Sequence, residues 1–125
     1  MLFRSIDLIE SGAEAIASAT ENFKAHKNIN VRMGNVAKEL KKIKRADVVV
    51  LDPPRAGIGA DVAHQVMSIA PRRIVYVACD PASLARDVRT FIDSGWKLEK
   101  IKAFDLFPMT HHIETVALLT PNRVS

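Results

Sequence analysis

The single cysteine of this 125-residue chain, Cys79, lies where an apolar run, Ile74 to Ala78, gives way to helix-start signals. Asp80 is a good N-cap, and Pro81 suits the first helical position, where its missing N–H costs nothing. A thiol just ahead of a helix N-terminus sits in a positive partial field that favours thiolate. Ligands of open α/β sheets collect beyond the carboxyl ends of the strands, where this sulfur would point. Cys79 is therefore a candidate nucleophile. A solitary cysteine is more often a small buried hydrophobe, and what weighs against that here is company. Two further motifs stand at strand ends. Asp52-Pro53-Pro54-Arg55-Ala56-Gly57 follows one apolar run, and Phe107-Pro108-Met109-Thr110-His111-His112-Ile113-Glu114 leads into another.

The elements that must position these motifs alternate along the chain. Ile6 to Ile9 reads as a short strand, and Gly12 to His26 as a helix with Ala15, Ile16, Ala19 and Phe23 on one face. Ile29 to Met33 reads as a strand and Val36 to Lys42 as a short helix. Asp47 to Leu51 is a continuous branched run typical of a parallel strand covered on both sides. A helix is expected over Ala60 to Ala70, a strand over Arg72 to Ala78, and a helix over Pro81 to Ser94 that Gly95 stops. Trp96 to Phe104 and Ile113 to Thr120 close the chain as two strands joined by a loop through Pro108. Alternation of this kind indicates a parallel sheet with helices on both faces. The last two strands have no helix between them, so one of them should run antiparallel.

Bulk composition fits one ordinary globular domain: 48% of residues are hydrophobic and 26% charged. One cysteine excludes an internal disulfide framework and agrees with a reducing cytoplasm. No apolar run approaches the roughly 20 residues needed to span a bilayer, and the start has no signal-peptide pattern. The net charge of +4 suits a polyanionic partner such as RNA. The cluster Lys38, Lys41, Lys42, Lys44 and Arg45 carries part of it, and the plain account of that run is a solvated face.

Taken together and in this order, the three strand-end motifs resemble the RNA uracil-C5 methyltransferases, and most closely the catalytic C-terminal part of the branch that modifies 23S rRNA. The resemblance runs from about Ile6 to Thr120. It implies a Rossmann-like α/β class I methyltransferase sheet, mostly parallel with one antiparallel strand at the end. It also implies S-adenosylmethionine as cofactor and uridine in rRNA or tRNA as substrate. Carbon 5 of uracil is a poor nucleophile until a thiolate adds to carbon 6, and a base must later remove the carbon-5 proton. On the family pattern Cys79 is that thiol and Glu114 that base. Asp52 corresponds to the aspartate that arranges the donor near the base, although Asp-Pro-Pro is also good turn chemistry. Arg55 would meet phosphate or order its loop. Glu10 corresponds to the acid that binds the cofactor ribose, and Asn35 to a contact of the adenine end; both could equally be turn or capping residues. The pair His111 and His112 offers too few ligands for a metal. The missing aromatic residue after Pro53-Pro54 speaks against amino-group methylation of a flipped base.

The same pattern has gaps. The first strand of the family and its glycine-rich cofactor loop are not found among these residues, and Asp80 stands where asparagine is usual, its charge slightly opposing thiolate formation. Two readings follow: a catalytic fragment of an RNA uracil-C5 methyltransferase, or a non-catalytic α/β module that binds RNA weakly or self-associates. The gap also predicts that the strand at 47–51 pairs directly with that at 6–10, or that a second copy fills the space, because open inner edges invite association.

Overall fold

The computed structural model describes residues 3–106, 109 and 113–123. It forms two compact units that divide between Ile43 and Lys44.

The first unit is a strand–helix–strand crossover. Strands β1 (Ile6–Glu10) and β2 (Ile29–Met33) run parallel, in register from Ile6 opposite Ile29 to Glu10 opposite Met33. Helix α1 (Ala13–Phe23) connects them, and the short α2 (Val36–Leu40) follows. Ile16, Ala19 and Phe23, spaced at three and four residues, are the half-buried side chains of α1, whereas Ala15, expected on the same face, is exposed. The expected extension of α1 to His26 stops three residues short, where the His26 amide donates to Phe23 O in a closing turn. An ion pair from Arg32 Nε to Asp7 Oδ1 at 2.8 Å links the two strands. Leu40 is the one fully buried apolar residue among the described residues of this unit.

The second unit is built on a four-stranded sheet of order β3-β4-β6-β5. Its strands are β3 (Val48–Leu51), β4 (Arg73–Ala78), β5 (Trp96–Phe104) and β6 (Glu114–Pro121). β3 and β4 run parallel, whereas β6 runs antiparallel to both β4 and β5. The expected single reversed strand is thus the last one. Helix α3 (Gly59–Ser68) joins β3 to β4, and α4 (Pro81–Asp93) joins β4 to β5. Ala70, at φ 52°, turns the chain out of α3 and forbids the extension to residue 70.

The core of this unit follows from period-2 alternation in β4 and β6. Ile74, Tyr76 and Ala78 on β4 face one side with Ala117 and Leu119 on β6, all buried. Against them lie Ala63 and Val66 of α3 and Leu84, Val88 and Phe91 of α4. Full burial of each larger aliphatic or aromatic side chain contributes about 1.5–3 kcal/mol. Phe91 meets Trp96 edge-on, with ring centroids 6.1 Å apart.

One expectation is corrected. The run at 47–51 is covered on one face only: Leu51 is buried, whereas Val48 and Val50 are 38% and 66% exposed. Among the described residues β4 is the one neighbour of β3, and α3 and α4 lie on the Leu51 side of the sheet. Among the described residues each parallel pair closes through its own crossover helix, β1 with β2 and β3 with β4. No helix of the described residues is long and apolar enough to cross a membrane.

Candidate functional site

The register of the second unit gathers three of the predicted residues at one end of its strands. Ala78 at the end of β4 stands opposite Thr115 on β6, so Cys79 follows one strand where Glu114 opens the next. On the other side Leu51 stands opposite Tyr76, and Asp52 follows Leu51. The strand order β3-β4-β6 therefore puts Cys79 on the middle strand, with Asp52 and Glu114 on its two neighbours. Adjacent strands lie about 4.8 Å apart. Cys79 and Glu114 are both half-buried, and Asp52 is exposed. The thiol is not sealed in the core.

Local chemistry fixes the start of α4. Asp80 is the N-cap: its Oδ2 accepts from the Ser83 amide at 2.8 Å and from the Ser83 hydroxyl at 2.7 Å, with Pro81 in the first turn. These bonds, the Ser83 amide foremost, hold the Asp80 carboxyl below the ordinary aspartate range. The guanidiniums of Arg55 and Arg86 act in the same direction. The negative charge next to the thiol is thus offset by two nearby cations.

A second set of residues, not anticipated from the sequence, joins α4 to the loop after Asp52. Asp87 is 1% exposed. Its Oδ2 accepts from the Ile58 amide at 2.8 Å and from the Tyr76 hydroxyl at 2.5 Å, and its Oδ1 from the Gly59 amide at 3.2 Å. Burial, followed by the bond to Asp87, pushes the Tyr76 hydroxyl well above the usual tyrosine range. One turn earlier on α4, the Ser83 hydroxyl shares its one proton between Asp80 Oδ2 and Arg55 O, the latter at 2.5 Å. Arg86 donates to Ala56 O and lies 3.3 Å from Asp87 Oδ1. The loop itself closes a tight turn, with the Gly57 amide donating to Pro54 O at 2.9 Å. A sequence signal for this set exists: position 87 falls on the stripe of Leu84, Val88 and Phe91, where an acid is out of place unless it has partners.

The remaining predicted residues take local roles. Glu10 ends β1, and its Oε1 accepts from the Ser11 and Gly12 amides, both at 2.7 Å. Those two bonds, Gly12 foremost, hold its carboxyl below the ordinary glutamate range. Asn35 caps α2, its side-chain oxygen accepting from the Lys38 amide at 3.3 Å. The side chain of Arg55 is exposed. In the basic cluster, Lys42 pairs with Glu39 at 2.7 Å and Arg45 with Asp47 at 3.6 Å on the surface, as a solvated face would. Thr110, His111 and His112, with Phe107 and Pro108, lie outside the described residues.

Comparison with known proteins adds the following. Residues 3–122 match the model of the tRNA (uracil-5-)-methyltransferase family. A protein of Streptomyces avermitilis described as an uncharacterized RNA methyltransferase is 49% identical over 115 residues, covering 90% of this chain and 27% of its own length. One from Caldanaerobacter subterraneus, described in the same words, is 42% identical over 121 residues, covering 94% and 27%. The chain thus spans about a quarter of the length of the curated relatives it matches. Among solved structures, the Pyrococcus abyssi tRNA (uracil-54, C5)-methyltransferase in complex with S-adenosyl-L-homocysteine superposes with a TM-score of 0.81. It is 31% identical and covers 93% of this chain and 29% of its own. NSun6 from Pyrococcus horikoshii, at 19% identity and a TM-score of 0.75, shares the fold.

Proposed function

The chain belongs to the tRNA (uracil-5-)-methyltransferase family, and from that premise we propose that it is part of an S-adenosylmethionine-dependent domain that methylates carbon 5 of uridine in RNA. Cys79 is the nucleophile in this reading and Glu114 the base. The observation that carries it is the strand register, which sets the end of β4 beside the start of β6 and so brings these two residues to one end of the strands. Half-burial supports it further, because each side chain keeps some access to solvent.

In the proposed reaction the Cys79 thiolate forms a bond from sulfur to carbon 6. The electrons of the carbon 5–carbon 6 double bond move toward the carbon-4 oxygen, which makes carbon 5 nucleophilic. S-adenosylmethionine supplies an electrophilic methyl group when bound. Glu114 then takes the proton from carbon 5, the double bond re-forms, and sulfur leaves as thiolate. Asp52, on the strand flanking Cys79, orients the reacting groups, and Arg55 engages RNA phosphate or orders its loop. Glu10 would hold the ribose of the cofactor and Asn35 its adenine end. The residues present fit that ribose end: two backbone amides fix an ionised acceptor at the close of β1, suited to a diol. The net charge of +4 agrees with an RNA partner, in our reading rRNA.

A chimera tests this proposal. The chain replaces the matching segment of the Streptomyces avermitilis relative, and 5-fluorouridine-substituted RNA is offered with S-adenosylmethionine. A denaturant-stable RNA–protein adduct that Cys79→Ala abolishes is the expected result. Equal adduct and equal methyl transfer in the alanine variant would overturn the assignment.

For the chain by itself a second reading has its own observation. Val50 is 66% exposed on β3, and exposed apolar surface favours self-association.

A further inference from the structure

We propose that Asp87 is a positioning residue: its buried carboxylate docks the backbone of the loop after Asp52 onto α4 and so sets that loop against Cys79. The consequence for catalysis rests on the proposed function; the docking itself rests on geometry alone. Three side chains of α4, at positions 83, 86 and 87, engage four backbone groups of one short segment. Ser83 and Arg86 take the carbonyls of Arg55 and Ala56, while Asp87 takes the amides of Ile58 and Gly59. Because α4 begins two residues after Cys79, the helix that carries the thiol at its head also holds the loop that carries Asp52 at its base. Pro53 and Pro54 stiffen the intervening chain.

The chemistry at position 87 has to be a carboxylate. Two amide N–H groups and one phenol converge on it, and only an acceptor with no donor of its own satisfies all three. An asparagine would turn an NH2 toward at least one of those donors. Tyr76 anchors the carboxylate from the core strand, so the loop is referenced to β4, the strand that ends in Cys79. Gly57 shows how closely the two backbones approach. A Cβ there would lie well under 3.0 Å from Asp87 Oδ2 and 2.6 Å from Arg86 Nη2.

The test uses the full chain with a nitroxide on Cys79, its one cysteine. Amide exchange at Ile58 and Gly59 reports the docking, and paramagnetic relaxation at the Asp52, Arg55 and Ala56 amides reports the loop position. In Asp87→Asn, exchange at Ile58 and Gly59 should rise at least about tenfold, while Tyr76 and Ala117 amides stay within about threefold of wild type. The relaxation profile at 52–56 should change in the same variant. The double variant Ser83→Ala/Arg86→Gln alters one half-buried and one exposed side chain. It should change the profile at Arg55 and Ala56 and leave Ile58 and Gly59 protected. Wild-type profiles in both variants would overturn the proposal. So would loss of Tyr76 and Ala117 protection along with the loop in Asp87→Asn, since Asp87 would then be a core stabiliser only. If instead Cys79→Ala leaves adduct formation intact in the chimera, the catalytic reading falls while these docking signatures stand.

Discussion

Replacing Gly57 by alanine puts a methyl group against a carboxyl group that already accepts from Ile58, Gly59, Tyr76 and Arg86. Three glycines of the second unit share a left-handed conformation: Gly57 and Gly59 at φ 78° and Gly95 at φ 88°. An L-residue in that region costs about 1–2 kcal/mol, and this part should be common to all three alanine variants. Their surroundings differ. Nothing lies within 4 Å of a Cβ at Gly59 or Gly95, whereas at Gly57 it collides with Asp87 and Arg86. The Asp87 carboxylate must withdraw and loosen its bonds to the Ile58 amide and the Tyr76 hydroxyl. Each hydrogen bond to a charged group contributes about 1.5–3 kcal/mol. Losing one of them in addition to the backbone strain gives about 3–5 kcal/mol for Gly57→Ala. Urea unfolding followed by Trp96 fluorescence measures this, because the one tryptophan is buried against Phe91 in the same unit. With a urea slope of about 1–3 kcal/mol per molar, the midpoint should fall by about 2 M for Gly57→Ala and by less than about 1 M for the other two. Equal losses at all three positions would show that the close approach of Asp87 contributes nothing, and the argument would fail.

Three further outcomes follow from the same geometry. Tyr76→Phe removes one donor to Asp87 and should lower stability by about 1.5–3 kcal/mol; a change within about 0.5 kcal/mol by urea titration would mean that the 2.5 Å bond is energetically empty. The Asp80 carboxyl is held below its ordinary value of 3.8 by Ser83, so the unfolded chain takes up the proton first as the solution is acidified. Its contribution to stability is therefore present above about pH 3.8 and lost as pH falls through the lower native value. Urea midpoints between pH 5 and pH 2 should show this component in wild type and not in Asp80→Asn, which keeps the cap without the charge; an identical acid profile in both would refute the assignment. In the chimera, Glu114→Gln should accumulate the covalent RNA complex because proton removal from carbon 5 is blocked, and normal turnover would assign the base elsewhere.

Much of the architecture could be read from local pattern because each element carries its own signal. The Asp80-Pro81 start of α4, the Gly95 stop and the alternation of β4 and β6 are decided by a few neighbouring residues. The strand at 47–51 shows where such reading fails. Val48, Val49, Val50 and Leu51 are equally apolar, so composition says that the strand could be covered on both sides but not whether it is. Coverage depends on which elements reach each face, and here α3 and α4 reach the Leu51 side. The candidate site divides in the same way. Cys79, Glu114 and Asp52 were legible through motif order, and the register then puts them on neighbouring strands. Asp87 was not, because its meaning depends on two amides 28 and 29 positions upstream. Helical periodicity could have flagged it as an acid on an apolar stripe without saying what it holds.

In the proposed site the two kinds of residue divide the labour. Cys79 and Glu114 stand at strand ends, where the backbone ladder stops and side chains become half-exposed. Strand ends give reach but little rigidity, since the residues just past a ladder have lost its hydrogen bonds. The rigidity comes from behind, where Asp80 and Ser83 fix the helix start and Asp87, Arg86 and Tyr76 fix the neighbouring loop. A reacting sulfur misplaced by about 1 Å can lose about 100-fold in rate. A carboxyl group buried in a small core is hard to account for by stability alone, since burying a polar group gains nothing unless its partners are in place. Asp87 meets that condition through partners that belong to the loop and strand flanking the thiol. Its burial is therefore best understood as holding the geometry around Cys79, with stability of the unit a secondary consequence.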